Sequence, residues 1–223
     1  MSDFKLERAN MVESQIRPNA VTDPELLRAL YETPREAFVP PALRALAYID
    51  GVLQVQEARD HRPARHLLSP MVFAKLAQLA ELRERDRVLD IGGATGYAAA
   101  ILARLGASVV TLESEANLTA IAKEALSSLG VANVTFVMGP LEAGSPEHAP
   151  YDVIFLGGRA AQLPETLMAQ LAEGGRLVAV VGTDASAKAR LIRKIDGRYQ
   201  ERTAFDAGAP LLPGFELKKA FVF

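Results

Sequence analysis

The chain has no cysteine and no tryptophan, and only three histidines, His61, His66 and His148, among 223 residues. Without cysteine there is no disulfide framework, no thiolate metal site and no cysteine nucleophile. The histidines form no His-x-x-x-His pair, so no metal site is expected. Nor does one sign of charge dominate. The 25 lysines and arginines nearly balance 27 aspartates and glutamates, which gives no electrostatic reason to expect nucleic acid or an anionic membrane as partner. No apolar run approaches the roughly 18 residues of a membrane span, and Met1-Ser2-Asp3-Phe4-Lys5-Leu6 lacks the core of a signal peptide. A cytoplasmic protein is expected.

What is present is apolar sequence in a regular arrangement: 49% of the residues are hydrophobic, enough for one sizeable core. Residues 1–80 read as a helical N-terminal extension and residues 81–223 as an alternating α/β core, together one domain. In the extension, Asp23 is placed to cap a helix opened by Pro24, with Leu26, Leu27 and Leu30 on one side. The segment from Asp50 to Leu68 is polar, contains Pro63 and reads as a loop. Ser69-Pro70 then restarts a helix whose Phe73, Leu76, Ala77 and Ala80 recur at helical spacing.

From Arg87 short apolar runs alternate with helical stretches. The runs are Val88 to Ile91, Ser108 to Leu112, Val134 to Met138, Val153 to Leu156 and Arg176 to Val181. Tyr97 to Leu105, Asn117 to Leu129 and Pro164 to Leu171 are the helices between them. Continuous apolar strands covered on both faces imply a Rossmann-like doubly wound α/β sheet. Leu191 to Ile195, Asp196-Gly197 and Tyr199 onward suggest a hairpin, or a helix followed by a strand, and Leu217 to Phe223 a last strand.

The strongest chemical signal is Asp90-Ile91-Gly92-Gly93-Ala94-Thr95-Gly96 at the end of the first of these strands. A dinucleotide fingerprint starting at Gly92 requires glycines at positions 94 and 97, where the chain has Ala94 and Tyr97. A methyltransferase pattern, an acidic residue with glycines two, four and six places on, is met by Asp90, Gly92 and Gly96 and missed at Ala94. S-adenosylmethionine is therefore the expected cofactor, with Asp90 accepting from backbone amides to order a loop of Gly92, Gly93 and Gly96. Ala94 is tolerable at negative φ and strained otherwise. Glu113 ends the next strand, where an acidic residue either accepts from both ribose hydroxyls or is simply solvated. Gly157-Gly158, on the same rim, either opens the pocket floor or makes a tight turn.

With these residues in place the chain resembles the protein-L-isoaspartate O-methyltransferase family from about Met11 to Gly182. Pro34-Arg35-Glu36-Ala37-Phe38-Val39-Pro40 and Ala47-Tyr48-Ile49-Asp50 look like its N-terminal signature, Val88 to Tyr97 like its cofactor motif, and Gly174-Gly175-Arg176-Leu177-Val178 like the start of its fifth strand. The resemblance implies methyl transfer from S-adenosylmethionine to isoaspartyl carboxylates of damaged proteins. A carboxylate, with a pKa of about 4, is already a nucleophile and needs no general base.

Two stretches depart from the family. Its Gly-Gln-Thr-Ile-Ser-Gln-Pro, whose hydroxyls contact the acceptor carboxylate, is here Ala64-Arg65-His66-Leu67-Leu68-Ser69-Pro70; its Gly-Asp-Gly is Gly139-Pro140-Leu141. Leu68 stands at the serine and His66 at the threonine. Ser69 either supplies a hydroxyl from one position away or caps the following helix. The residues expected to act are thus His66 and Ser69 toward the acceptor, and Asp90, Gly92, Gly93, Gly96, Glu113 and Gly139 toward the cofactor. The polar segment Gln54 to Ser69, with Arg59, His61, Arg62, Arg65 and His66, is either a lid that meets an anionic acceptor or a solvated loop. Two other readings are kept beside the isoaspartyl one: a relative with a small-molecule acceptor, favoured by Leu68, and a non-catalytic cofactor-binding protein, favoured by Ala94 and Pro140.

Overall fold

The computed structural model describes residues 3–60, 62–106 and 108–217. Among them, helices α1 (Phe4–Met11) and α2 (Pro24–Glu32) open the chain. As the sequence predicts, the Asp23 carboxylate accepts from the amides of Glu25 and Leu26, and Leu26, Leu27 and Leu30 are buried. The segment read as a loop contains a small antiparallel hairpin, β1 (Leu53–Gln56) with β2 (Arg65–Leu67). Its inward residues alternate, Leu53 and Val55 on one strand, Arg65 and Leu67 on the other, so two short period-two strands lay hidden in polar sequence. His61 lies outside the described residues, as does the proposed last strand beyond Leu217.

Helix α3 (Pro70–Leu79) begins at Ser69, whose Oγ accepts from the Val72 amide at 3.4 Å. Phe73, Leu76, Ala77 and Ala80 are all buried, as their spacing predicts. There follow β3 (Arg87–Ile91), α4 (Tyr97–Leu105), β4 (Ser108–Glu113), α5 (Ala116–Ser128), β5 (Val134–Met138), β6 (Tyr151–Ala160), α6 (Glu165–Met168), β7 (Leu171–Val181), β8 (Lys188–Ile195) and β9 (Arg198–Asp206). The expected helix from Pro164 to Leu171 is cut to the single turn of α6, because Leu171 already pairs with Tyr151 in the sheet. The hairpin expected around Asp196-Gly197 is β8–β9.

The seven-stranded sheet runs in the order β5-β4-β3-β6-β7-β8-β9. Strands β3 to β7 are parallel, and β8 is antiparallel to both of its neighbours. This is the Rossmann-like doubly wound arrangement. Alternate side chains divide between two cores. Val88, Val109, Val153 and Val178 face one cluster with α3, α4, α5 and the N-terminal helices. Leu89, Val110, Ile154 and Leu177 face the other, closed by Leu141, Leu167, Leu212 and Phe215. The strand order reverses at β3, between β4 and β6, so a crevice opens at the carboxyl ends of β3, β4 and β6, where this class of sheet binds ligands.

One buried ion pair locks this frame. The Arg176 guanidinium on β7 reaches Asp86 just before β3 and donates to the carbonyls of Ala80 and Glu81 at the end of α3. Helix ends leave such carbonyls without partners, and Arg176 satisfies them while fixing α3 against the sheet.

Candidate active site

The turn after β3 crosses the crevice. Gly92 has φ of +80° and Gly96 of +95°, the left-handed region that glycine enters without penalty. Ala94 sits at φ +47°, so this chain carries a methyl where the strained conformation is real. The turn is tied down from inside: the Gly92 and Gly93 amides donate to the Leu112 carbonyl, and the Ala94 amide to Glu113 Oε2 at 2.9 Å.

This corrects the expectation for Asp90. Its carboxylate meets no loop amide; Oδ2 accepts from the Thr111 hydroxyl at 3.0 Å, and Oδ1 has no partner among the described residues. Glu113 orders the turn instead. Asp90 is fully buried, and burial is the main reason its pKa is pushed up to about 7. The two carboxylates end adjacent parallel strands, on the same rim of the sheet.

Glu113 is not the solvated residue a strand end allows: it is 3% exposed. Its Oε1 accepts from the amides of Ser114 and Glu115 and from Nη1 of Arg65. That arginine comes from β2, and its side chain is almost wholly buried. It lies over the glycine turn, Nη2 standing 3.2 Å from where a Gly92 Cβ would be, with a Leu212 methyl at 2.8 Å from the same point. Arg62 pairs with Glu115, and Gln56 accepts from Asn117. The polar segment is therefore a folded strap across the ends of β4 and α5, on the cofactor side of the crevice.

Gly157 makes no free turn, but it does line the cavity beside the glycine turn. It lies within β6, and a Cβ there would come within 3.0 Å of the Gly92 carbonyl oxygen, so glycine lets the ends of β3 and β6 close up. Gly139 follows β5 and its amide donates to the Glu113 carbonyl.

On the other side of the turn is a cavity of about 20 Å³ lined by Arg35, His66, Leu68, Gly92, Tyr97 and Phe155, among others, room for about one water. Its wall is largely apolar. The Leu68 side chain is buried, and its carbonyl accepts from Arg35 Nη2 at 2.8 Å. Burial holds the pKa of His66 below its ordinary value, helped by the charge of Arg65. Ser69 is not among the residues that line the cavity, and its hydroxyl caps α3. Arg35 has no exposure at all. It bonds the carbonyls of Ala47 and Leu68 and stacks on Tyr97, with 4.6 Å from guanidinium carbon to ring centre. From the sequence Arg35 belongs only to a signature; the structure shows it tying the backbone at Ala47 to that at Leu68, just after β2. No group of three or more His, Asp or Glu side chains able to hold a metal occurs among the described residues.

A family model for protein-L-isoaspartate(D-aspartate) O-methyltransferase matches residues 6–207. The chain belongs to that family. A protein-L-isoaspartate O-methyltransferase 1 of Rhodopseudomonas palustris is 40% identical over 192 residues, covering 86% of this chain and 76% of the relative. One of Koribacter versatilis is 36% identical over 206 residues, covering 92% and 90%. A solved protein-L-isoaspartate O-methyltransferase superposes with a TM-score of 0.79 at 31% identity; the match covers 93% of this chain and 66% of that one. A putative family member from Plasmodium falciparum, solved with S-adenosyl-L-homocysteine, gives a TM-score of 0.73 at 20% identity and supports the fold.

Leu68 gives the cavity an apolar wall. Pro140 opens the single turn Leu141–Ala143 that follows β5.

Proposed function

We propose that this chain transfers a methyl group from S-adenosylmethionine to the carboxylate of an isoaspartyl residue in damaged protein. The observation that carries the reading is the pair of buried carboxylates, Asp90 and Glu113, ending adjacent parallel strands around a left-handed glycine turn at the reversal of strand order. The donor set suits the cofactor: Asp90 Oδ1 is a buried acceptor with no partner among the described residues, an arrangement that costs stability until a donor arrives. S-adenosylmethionine supplies an electrophilic methyl group. The chain's part is to hold, align and keep dry. Asp90 and the turn at Gly92, Gly93 and Gly96 hold the aminoacyl side, Glu113 the ribose, and Gly139 borders the far edge. On the acceptor side His66 lines the cavity, and Ser69 positions the wall through its cap on α3.

Residues 1–80 act in this reading as an extension of one domain, since their apolar side chains share a core with α3, α4 and α5. No helix among the described residues is long and apolar enough to cross a membrane, which supports a cytoplasmic protein acting on soluble protein or peptide substrates.

Calorimetric titration with S-adenosylmethionine tests the cofactor half. Binding that is measurable at millimolar ligand is expected, and its absence would sink the enzyme reading. A second reading, a small-molecule acceptor, is favoured by the apolar Leu68 wall. Transfer to an isoaspartyl peptide by Leu68→Ser beside an inert parent would favour it.

A further inference from the structure

Glu113 is the carboxylate that the reading above assigns to the ribose, yet its oxygens are already engaged. A carboxylate offers about four acceptor positions. Here Oε1 takes the amides of Ser114 and Glu115, Nη1 of Arg65 and, at 3.3 Å, the Ser114 hydroxyl, while Oε2 takes the Ala94 amide. The amides belong to the backbone around the site and stay with it. Of the two side-chain donors, the Ser114 hydroxyl is long and local to the strand end, and Arg65 is the one that comes from a separate element and can leave.

We propose that Arg65 is an internal competitor for the cofactor: its guanidinium occupies Glu113 and covers the glycine turn, so cofactor binds only when Arg65 withdraws, and this residue sets the affinity of the site. The inference rests on Glu113 being the ribose-side carboxylate. Three observations carry it. First, the arginine is where a ligand would be, 3.2 Å from the Cβ position of Gly92.

Second, Arg65 is incompletely satisfied where it lies: among the described residues the one partner of its guanidinium is Glu113. In Arg159 and Arg176, Nε, Nη1 and Nη2 all have hydrogen-bond partners. In Arg65, Nη2 is buried with none among the described residues. The buried Arg35 leaves Nη1 unpaired as well, but its Nε and Nη2 both bond backbone carbonyls. A buried donor left unpaired raises the free energy of the closed arrangement, so the strap is poised to exchange its arginine for a better-satisfied ligand. Third, the strap's other polar ties lie nearer solvent. The Arg62 side chain that meets Glu115 is 67% exposed, and the bond from Asn117 to Gln56 is also at the surface. Such contacts resist movement weakly.

Titration of the wild-type chain and of Arg65→Gln with S-adenosylhomocysteine tests it without methyl transfer. The variant is expected to bind about ten-fold tighter or more, since it no longer loses the buried ion pair on binding. Arg65→Met, which keeps the buried stem, gives the same readout if the glutamine variant folds poorly. In the wild-type chain, hydrogen exchange in the strap around Leu53–Gln56 and Arg65–Leu67 is expected to speed up when the ligand is added. Equal or weaker binding by the variants, or a strap that exchanges no faster, overturns the proposal and leaves the methyltransferase reading standing. No binding by any of the three proteins at millimolar ligand overturns both.

Discussion

The Asp90 carboxyl illustrates how one residue records what the site lacks in its own bonds. Its pKa is raised from 3.8 to about 7, chiefly by burial. A folded-state value above the unfolded one means that the folded chain binds the extra proton between those pH values. Stability therefore falls as pH rises across that window, by at most about 1.4 kcal/mol per pH unit from this group. Asp90→Asn removes the titration, so its melting temperature should decline less than that of the wild type between pH 5 and pH 8; parallel declines would refute the assignment. Ser69 is a simpler case. Loss of its cap in Ser69→Ala should cost about 1 kcal/mol, a drop of roughly 2–4 °C in melting temperature for a chain of this size. At this scale the sequence located both carboxylates, but the structure gives the ordering of the turn to Glu113. Spacing puts Asp90 and Glu113 at strand ends and says nothing of which one faces the Ala94 amide. Arg65 was harder to find, because its partner lies 48 positions away and its neighbours are polar.

The elements that carry the site were legible wherever the apolar period was long. Helix α3 starts at Ser69-Pro70 and buries Phe73, Leu76, Ala77 and Ala80 as the pattern requires. The strap was missed because Leu53–Gln56 and Arg65–Leu67 are only four and three residues long, and one of the inward positions is an arginine. The alternation Leu53-Gln54-Val55-Gln56 was its one visible signal. Arg176 links elements in a way no local pattern announces. Because it ties α3's last carbonyls and Asp86 to β7, Arg176→Ala strands a buried carboxylate and should destabilise the fold by about 3–5 kcal/mol. Chemical denaturation checks this, and a loss under about 1 kcal/mol would mean the lock is not structural. Arg62→Ala, by contrast, removes an exposed pair and should cost no more than about 1 kcal/mol.

For the whole molecule, parallel strands with helical crossovers, covered on both faces, were readable from continuous apolar runs, and the reversal of strand order at β3 follows from their pairing. What the runs do not reveal is how the crevice is closed. The segment Ala209 to Phe215 folds back along β6, with the Arg159 amide donating to Pro210 and the Leu212 amide to Arg159, and this brings Leu212 over Gly92. Sequence of that kind, Pro210-Leu211-Leu212-Pro213-Gly214, has no period to read. The molecule is thus a methyltransferase frame whose glycine turn is covered by Arg65 of its own strap and by Leu212, with the buried Leu68 lining the cavity beside it. The central claim, methyl transfer to isoaspartyl protein, is tested most directly by incubating the chain with methyl-labelled S-adenosylmethionine and paired peptides that differ only in isoaspartyl against aspartyl linkage. The account predicts base-labile methyl ester on the isoaspartyl peptide and none on its partner. Bound cofactor with no label on either peptide would contradict it.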